Sequence, residues 1–156
     1  MMKLRAAEAR GKANFGWLDA RHSFSFGHYY DPEWMGHSAL RVINQDRVAP
    51  GGGFATHPHA NMEILTCVLQ GTIEHKDSLG HAEQIPAGDF QLMSAGSGIR
   101  HSEYNPSQTE ALSLLQIWIE PNEHGTTPGY QQKKIENKPG MTLVASPDGE
   151  DGSFRI

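Results

Sequence analysis

The sequence predicts an all-β fold, and three observations carry that reading. Short apolar or β-branched runs, divided by turn signals at intervals of about ten residues, fill positions 39 to 120, the spacing of a sandwich or barrel of short strands. The 17 glycines and 9 prolines in 156 residues supply many turns, which suits short strands better than long helices. Nothing from 39 to 120 repeats with a helical period. A chain of this length most often makes one domain and buries roughly 70% of its unfolded surface, so a core forms without covalent staples.

The elements follow in order. "ALRVIN" (39–44) reads as a strand, and "DRVAPGGG" then turns the chain. "MEILTCVLQ" (62–70) is a strand rich in β-branched and apolar residues, turned at Gly71 and returned by "TIEHKD" (72–77). "SLGH" turns again, and "AEQI" leads into "PAGD" (86–89). "FQLMS" and "IRHSEYN" are further strands, separated by "AGSG" (95–98). "LSLLQIWIE" (112–120) is the most apolar run and is expected at the centre of a sheet. Beyond it the chain is expected to meander, with "MTLVAS" (141–146) as one more strand and "PDGEDGS" as a polar turn.

Composition narrows the function. The single cysteine, Cys67, permits no intrachain disulfide, so no oxidising compartment is required. In an apolar β run it reads as an inert core thiol and not a nucleophile. The N-terminal "MMKLRAAEAR" lacks the apolar run of a signal peptide. No window approaches the ~20 apolar residues of a membrane span. A cytoplasmic protein with no membrane partner is expected. The formal charge of −5, with "QKK" (132–134) as the densest basic point, argues against a nucleic-acid partner, which would need a basic surface.

The chemistry concentrates in two short stretches. "GGGFATHPHANMEI" (51–64) holds His57 and His59, and "GIRHSEYN" (98–105) holds His101 and Glu103. Alternate residues of a strand share a face, so each pair projects to one side. If the two strands are neighbours, three imidazoles and a carboxylate converge, a set suited to one divalent transition metal: Fe, Mn, Co, Ni, Cu or Zn. Octahedral coordination by four protein ligands leaves two positions open, as catalytic sites require. The bland alternative is a pair of loop histidines beside Pro58 and a surface His101–Glu103 ion pair. Glu63, four residues after His59, competes as a carboxylate at the edge of an apolar interior. It is then a ligand, a group holding one imidazole, or an exposed rim residue.

These residues also carry a resemblance. "G-x5-H-x-H-x3-E" from Gly51 to Glu63, followed by Gly71, resembles the first motif of the cupin superfamily, and "G-x5-P-x-G" from Gly80 to Gly88 resembles the start of the second. "HSFSFGHYYDP", the run from Leu40 to Gly80, "GDFQLMSAGSGIRHSEYN" and "LQIWIEP" together resemble the N-terminal half of a pirin-family protein, over about residues 15 to 130. The resemblance implies a single cupin domain over 1–156, an antiparallel β-barrel or jelly roll. Its metal-binding core would be about 39–120. Residues 121–156 would be a tail leading toward a second cupin that is absent or truncated. It places the metal ligands on His57, His59, His101 and Glu103, with Glu63 near the site but off the metal. Iron(II) is the metal it implies first.

The implied activity is quercetin 2,3-dioxygenation, the cleavage of a flavonol-like aromatic substrate by O2. Glu103 would take the proton of a metal-bound hydroxyl. Met93, Leu114 and Trp118 are candidates for apolar walls, or plain core. Gln116, among apolar neighbours, either points into the cavity or is a satisfied core amide. The reading of a different class is a metal-bearing regulatory or protein-interaction module without turnover. Isomerase or hydrolase chemistry at the same metal is a third. Without a second barrel, an apolar face would be left to cover, so a homo-oligomer is expected. His22, His28, His37, His75, His81 and His124 show no partner spacing and read as surface or loop residues. "HSFSFGHYYDP" either lines the barrel mouth or packs against the barrel.

Overall fold

Alternation of apolar and polar residues along short strands builds two facing sheets. A computed structural model describes residues 4–136 and 139–156, so the first three residues of the N-terminal stretch read above lie outside the described residues. The strands among them are β1 (Gly11–Asn14), β2 (Leu18–His22), β3 (Leu40–Val48), β4 (Gly53–His59), β5 (Glu63–Gln70), β6 (Thr72–Asp77), β7 (Ala82–Pro86), β8 (Asp89–Ser94), β9 (Ile99–Tyr104), β10 (Leu112–Ile119), β11 (Gly129–Lys134), β12 (Ala145–Ser146) and β13 (Phe154–Arg155). A seven-stranded antiparallel sheet, in the order β1-β2-β3-β10-β5-β8-β11, faces a four-stranded antiparallel sheet, in the order β4-β9-β6-β7. No helix among the described residues is long and apolar enough to cross a membrane.

The expected central strand is central: β10 pairs with β3 on one side and β5 on the other. Its composition explains this, because both of its faces are covered. Leu112 and Leu114 point into the barrel core, while Ile117 lies under the C-terminal segment. Residues after 120 do not simply meander. The segment 129–134 pairs with β8 along its whole length. The chain then returns across the outside of the large sheet, where Ile135, Val144, Ala145, Phe154 and Ile156 pack on Leu65 and Leu92. "MTLVAS" contributes only Ala145 and Ser146 to a strand, paired in parallel with Phe154 and Arg155. Met141 and Leu143 stay exposed. β1 and β2, absent from the sequence reading, extend the sheet beyond β3. Their "GKAN" and "LDARH" are too polar to signal strands.

The inward positions form three layers. One apolar plug contains Leu18, Ala20, Val48, Val68, Ile73, Ile85, Leu112 and Leu114. The other contains Ile64, Met93, Ala95 and Ile99, with Met62 and Trp118 against it. Between the plugs lies a belt of buried polar side chains: Asn44, Asp46, Thr66, His75, Gln91, His101, Glu103 and Gln116. Most belt residues sit two positions from a plug residue on their own strand, as in Val68–Thr66–Ile64 and Leu114–Gln116–Trp118. Burying polar groups is unfavourable unless they find partners, so the belt is the part of the core that demands an explanation.

Close approach of β4 and β9 depends on Gly53, which pairs with Tyr104. A Cβ there would stand 2.4 Å from the Glu103 carbonyl oxygen. Gly53→Ala is expected to lower stability by roughly 1–3 kcal/mol through overpacking and to weaken metal binding by splaying the two strands. Thermal unfolding and metal titration of the same variant check this; wild-type values for both would contradict it.

Candidate metal centre

β9 runs between β4 and β6, so its inward side chains meet donors from both sides. On one side His57 pairs directly with His101. A register shift between Phe54 and His57 inserts one extra residue into β4, a bulge that turns Phe54 and His57 to the same chamber. The bulge also supplies the carbonyl of Ala55, which lies 2.7 Å from His57 Nδ1. A carbonyl only accepts, so Nδ1 carries the proton and Nε2 presents a bare lone pair.

That lone pair points at His101. The Nε2 atoms of His57 and His101 are 3.1 Å apart. Two cis ligands of one ion, each at about 2.1 Å, would stand about 3 Å apart. Donor atoms of His57, His59 and His101 all lie within 4.8 Å of one another. Burial pushes His101 down to about 3, reinforced by His57 and His59, and pushes His59 down to about 4, reinforced by His57. Both rings are therefore neutral at pH 7, the state a metal needs. The residues present fit a divalent transition metal.

Glu103 is 3% exposed. Its Oε1 accepts from Gln91 Nε2 and its Oε2 from Gln116 Nε2, each at 2.9 Å. Trp118 Nε1 donates to Gln116 Oε1 at 3.1 Å, which fixes which way that amide faces. Burial pushes the Glu103 carboxyl up to about 7; Asp46 adds to the rise, and the two amides oppose it. Its carboxylate falls within 4.8 Å of donor atoms on His101 and His75, so His101 belongs to two donor groups at once.

A cavity of about 510 Å³ opens on these residues. Its floor is His57, His59, Glu103 and Gln116, and its walls include Trp17, Phe26, Phe54 and Trp118. Trp118 meets His59 edge-on at 5.0 Å and Phe26 at 5.3 Å; Trp17 and Phe54 meet edge-on at 5.0 Å. Phe26 thus brings "HSFSFGHYYDP" to the barrel mouth.

Several expectations are corrected. Glu63 is not beside the centre: it pairs with Ser94 on β8 and accepts that hydroxyl at 2.6 Å. It stands three residues from the inward Thr66, and an odd separation along a strand reverses the face. The turn at 60–62 breaks the count from His59. Met93 and Leu114 are buried in the plugs and do not line the chamber. His22 and His75 are not surface residues. His22 is 5% exposed with Nδ1 2.7 Å from Asn44 Oδ1, and His75 is fully buried. Sequence reasoning also missed Gln91, Tyr130 and the aromatic walls Trp17 and Phe54. The H-x-D pair His75–Asp77, with the same one-residue gap as H-x-H, was a signal available in the sequence.

Asp46 is the remaining acid of the belt. Its Oδ1 is buried without a hydrogen-bond partner among the described residues, and burial pushes its pKa from 3.8 to about 7. A folded pKa above the unfolded one means stability is fully present below pH 3.8 and is lost as pH rises through about 7. Asp46→Asn is expected to remove part of that decline, at most about 4 kcal/mol. Denaturant melts of metal-free protein at several pH values between 4 and 8 measure it; an unchanged slope would contradict the assignment.

The Pirin family model matches residues 3–119. A quercetin 2,3-dioxygenase of Escherichia coli K12 is 62% identical over 156 residues, covering all of this chain and 68% of that protein. A pirin-like protein of Caulobacter vibrioides is 50% identical over 133 residues, covering 85% of this chain and 57% of that protein. The crystal structure of the bacterial pirin YhhW from Escherichia coli in complex with nickel(II) superposes with a TM-score of 0.96 at 62% identity, over 100% of this chain and 67% of that one.

Proposed function

This chain belongs to the pirin family of cupin-fold proteins, and from that premise we propose that it is a metal-dependent dioxygenase that opens the ring of a flavonol-like substrate with O2. The observation that carries the proposal is three converging imidazoles and a buried carboxylate at the floor of an aromatic-walled chamber. The relatives named quercetin 2,3-dioxygenase and the nickel-bound YhhW support it.

His57, His59, His101 and Glu103 would hold the ion. When bound, the ion supplies Lewis-acid stabilisation of an anionic substrate oxygen. The chain's own residues do the rest. Trp118, Phe26, Phe54 and Trp17 offer ring faces and edges to a flat aromatic molecule and exclude water from beside it. Glu103 is the proton acceptor for the substrate hydroxyl, and its Oε2 is held by Gln116, which lines the chamber beside it. Burial favours the protonated form of that carboxyl, which suits it to take up a proton. Gln116, itself held by Trp118, keeps the carboxylate from turning away. The chamber favours turnover over a purely regulatory role, because a sensor has no need of a walled cavity for an aromatic guest.

Metal-loaded protein is expected to consume quercetin and O2 together and release carbon monoxide. Glu103→Gln is expected to lose roughly 100-fold or more in turnover while retaining metal, and His57→Ala is expected to lose the metal. Oxygen uptake and elemental analysis read the two effects. Absence of product with each of Fe, Mn, Co, Ni and Cu would remove the flavonol reading.

A further inference from the structure

β2 ends on a buried histidine that the metal centre does not use. His22 is 5% exposed and pairs with Asn44 on β3, which pairs in turn with Gln116 on β10. Asn44 Oδ1 accepts from His22 Nδ1 at 2.7 Å. That carbonyl oxygen only accepts, so Nδ1 carries the proton and Nε2 keeps a bare lone pair. Nε2 makes no hydrogen bond among the described residues. His22 also lines a cavity of about 340 Å³. With Nδ1 turned to Asn44, Nε2 is the polar atom that this ring offers to the cavity. An acceptor on so buried a ring is satisfied only by a donor that enters the cavity.

The cavity shares two walls with the chamber over the metal centre: Phe26 and Phe54 line both. Its aromatic lining is held in place. Phe26 meets the His22 ring at 5.3 Å, and Tyr29 stacks on it at 6.4 Å with 22° between the planes. Gly11, directly across from His22, makes the room for Tyr29, because a Cβ there would collide with the Tyr29 ring. The Tyr29 hydroxyl accepts from Arg5 at 2.7 Å and donates to Asp31 at 3.2 Å. The far end of that ring is therefore clamped as well. His22 stands two strands away from Gln116, the amide on the chamber floor. Two strand spacings make about 10 Å, a distance that two linked aryl units cover.

We propose that this cavity is a second aromatic subsite beside the metal chamber. It takes the distal ring of a phenolic substrate whose other part lies over the metal centre, and His22 Nε2 accepts the hydroxyl of that ring. The subsite rests on the flavonol reading of the chamber. It adds the substrate feature that the chain selects, a hydroxyl on the ring farther from the ion.

Ligand binding to metal-loaded protein, measured by titration calorimetry without O2, tests the subsite apart from turnover. Quercetin is expected to bind roughly five- to tenfold tighter than galangin, the same flavonol without hydroxyls on its distal ring. His22→Phe is expected to bind the two alike, with its metal content unchanged. Ala13→Phe adds bulk to the cavity wall without touching the His22–Asn44 pair, should His22→Phe fail to fold. It is expected to weaken quercetin roughly tenfold or more, again at unchanged metal content. No binding of quercetin, equal affinities in the wild type, undiminished discrimination in His22→Phe, or wild-type quercetin affinity in Ala13→Phe would overturn the subsite. Discrimination between the two flavonols without O2 consumption in air would leave it standing while removing the proposed activity.

Discussion

The register of β4 against β9 is the constraint on which the rest of the molecule depends. It sets His57 across from His101 and brings their Nε2 atoms to 3.1 Å. Without an ion, Nε2–H of His101 donates to the bare Nε2 of His57 across that distance. The bulge before His57 fixes its tautomer through Ala55, and the glycine at 53 lets the strands close. The backbone of one strand pair has thus spent its irregularities on placing two nitrogens.

The surrounding core is shaped to the same end. An all-apolar barrel would be simpler to stabilise, since each buried polar group left without a partner costs about 1–3 kcal/mol. Here the two plugs hold the sheets together, and the belt between them is mostly satisfied from within. Glu103 is gripped by two amides, one of them oriented by Trp118. The exceptions are informative: the buried atoms left without a partner among the described residues include Asp46 Oδ1, His75 Nδ1 and His101 Nδ1. All three belong to the belt. Such groups persist where something outweighs their cost.

The strands from 62 to 119 were legible because their apolar runs are long and their turns carry glycine. The His57, His59 and His101 cluster was legible because alternation needs only a neighbouring strand to complete it. The polar β1 and β2 and the Gln-Lys-rich β11 were not legible, since their strand character comes from pairing and not from composition. Glu63 was misplaced because a turn resets the parity on which face-counting relies. His75 was read as surface because a charged neighbourhood, Glu74, Lys76 and Asp77, hid that every second residue points inward. Length and charge said nothing of the chamber, whose walls come from segments far apart in the chain.

The central claim is that residues from two separate strands jointly hold a metal ion beneath an aromatic chamber. A crystal structure of the protein loaded with nickel(II), phased on the metal's anomalous signal, tests it most directly. The account predicts an ion bonded to nitrogens of His57, His59 and His101 at about 2.1 Å, with Glu103 reaching it and the chamber open above it. Imidazoles turned away from any ion, or nickel bound elsewhere on the surface, would contradict it.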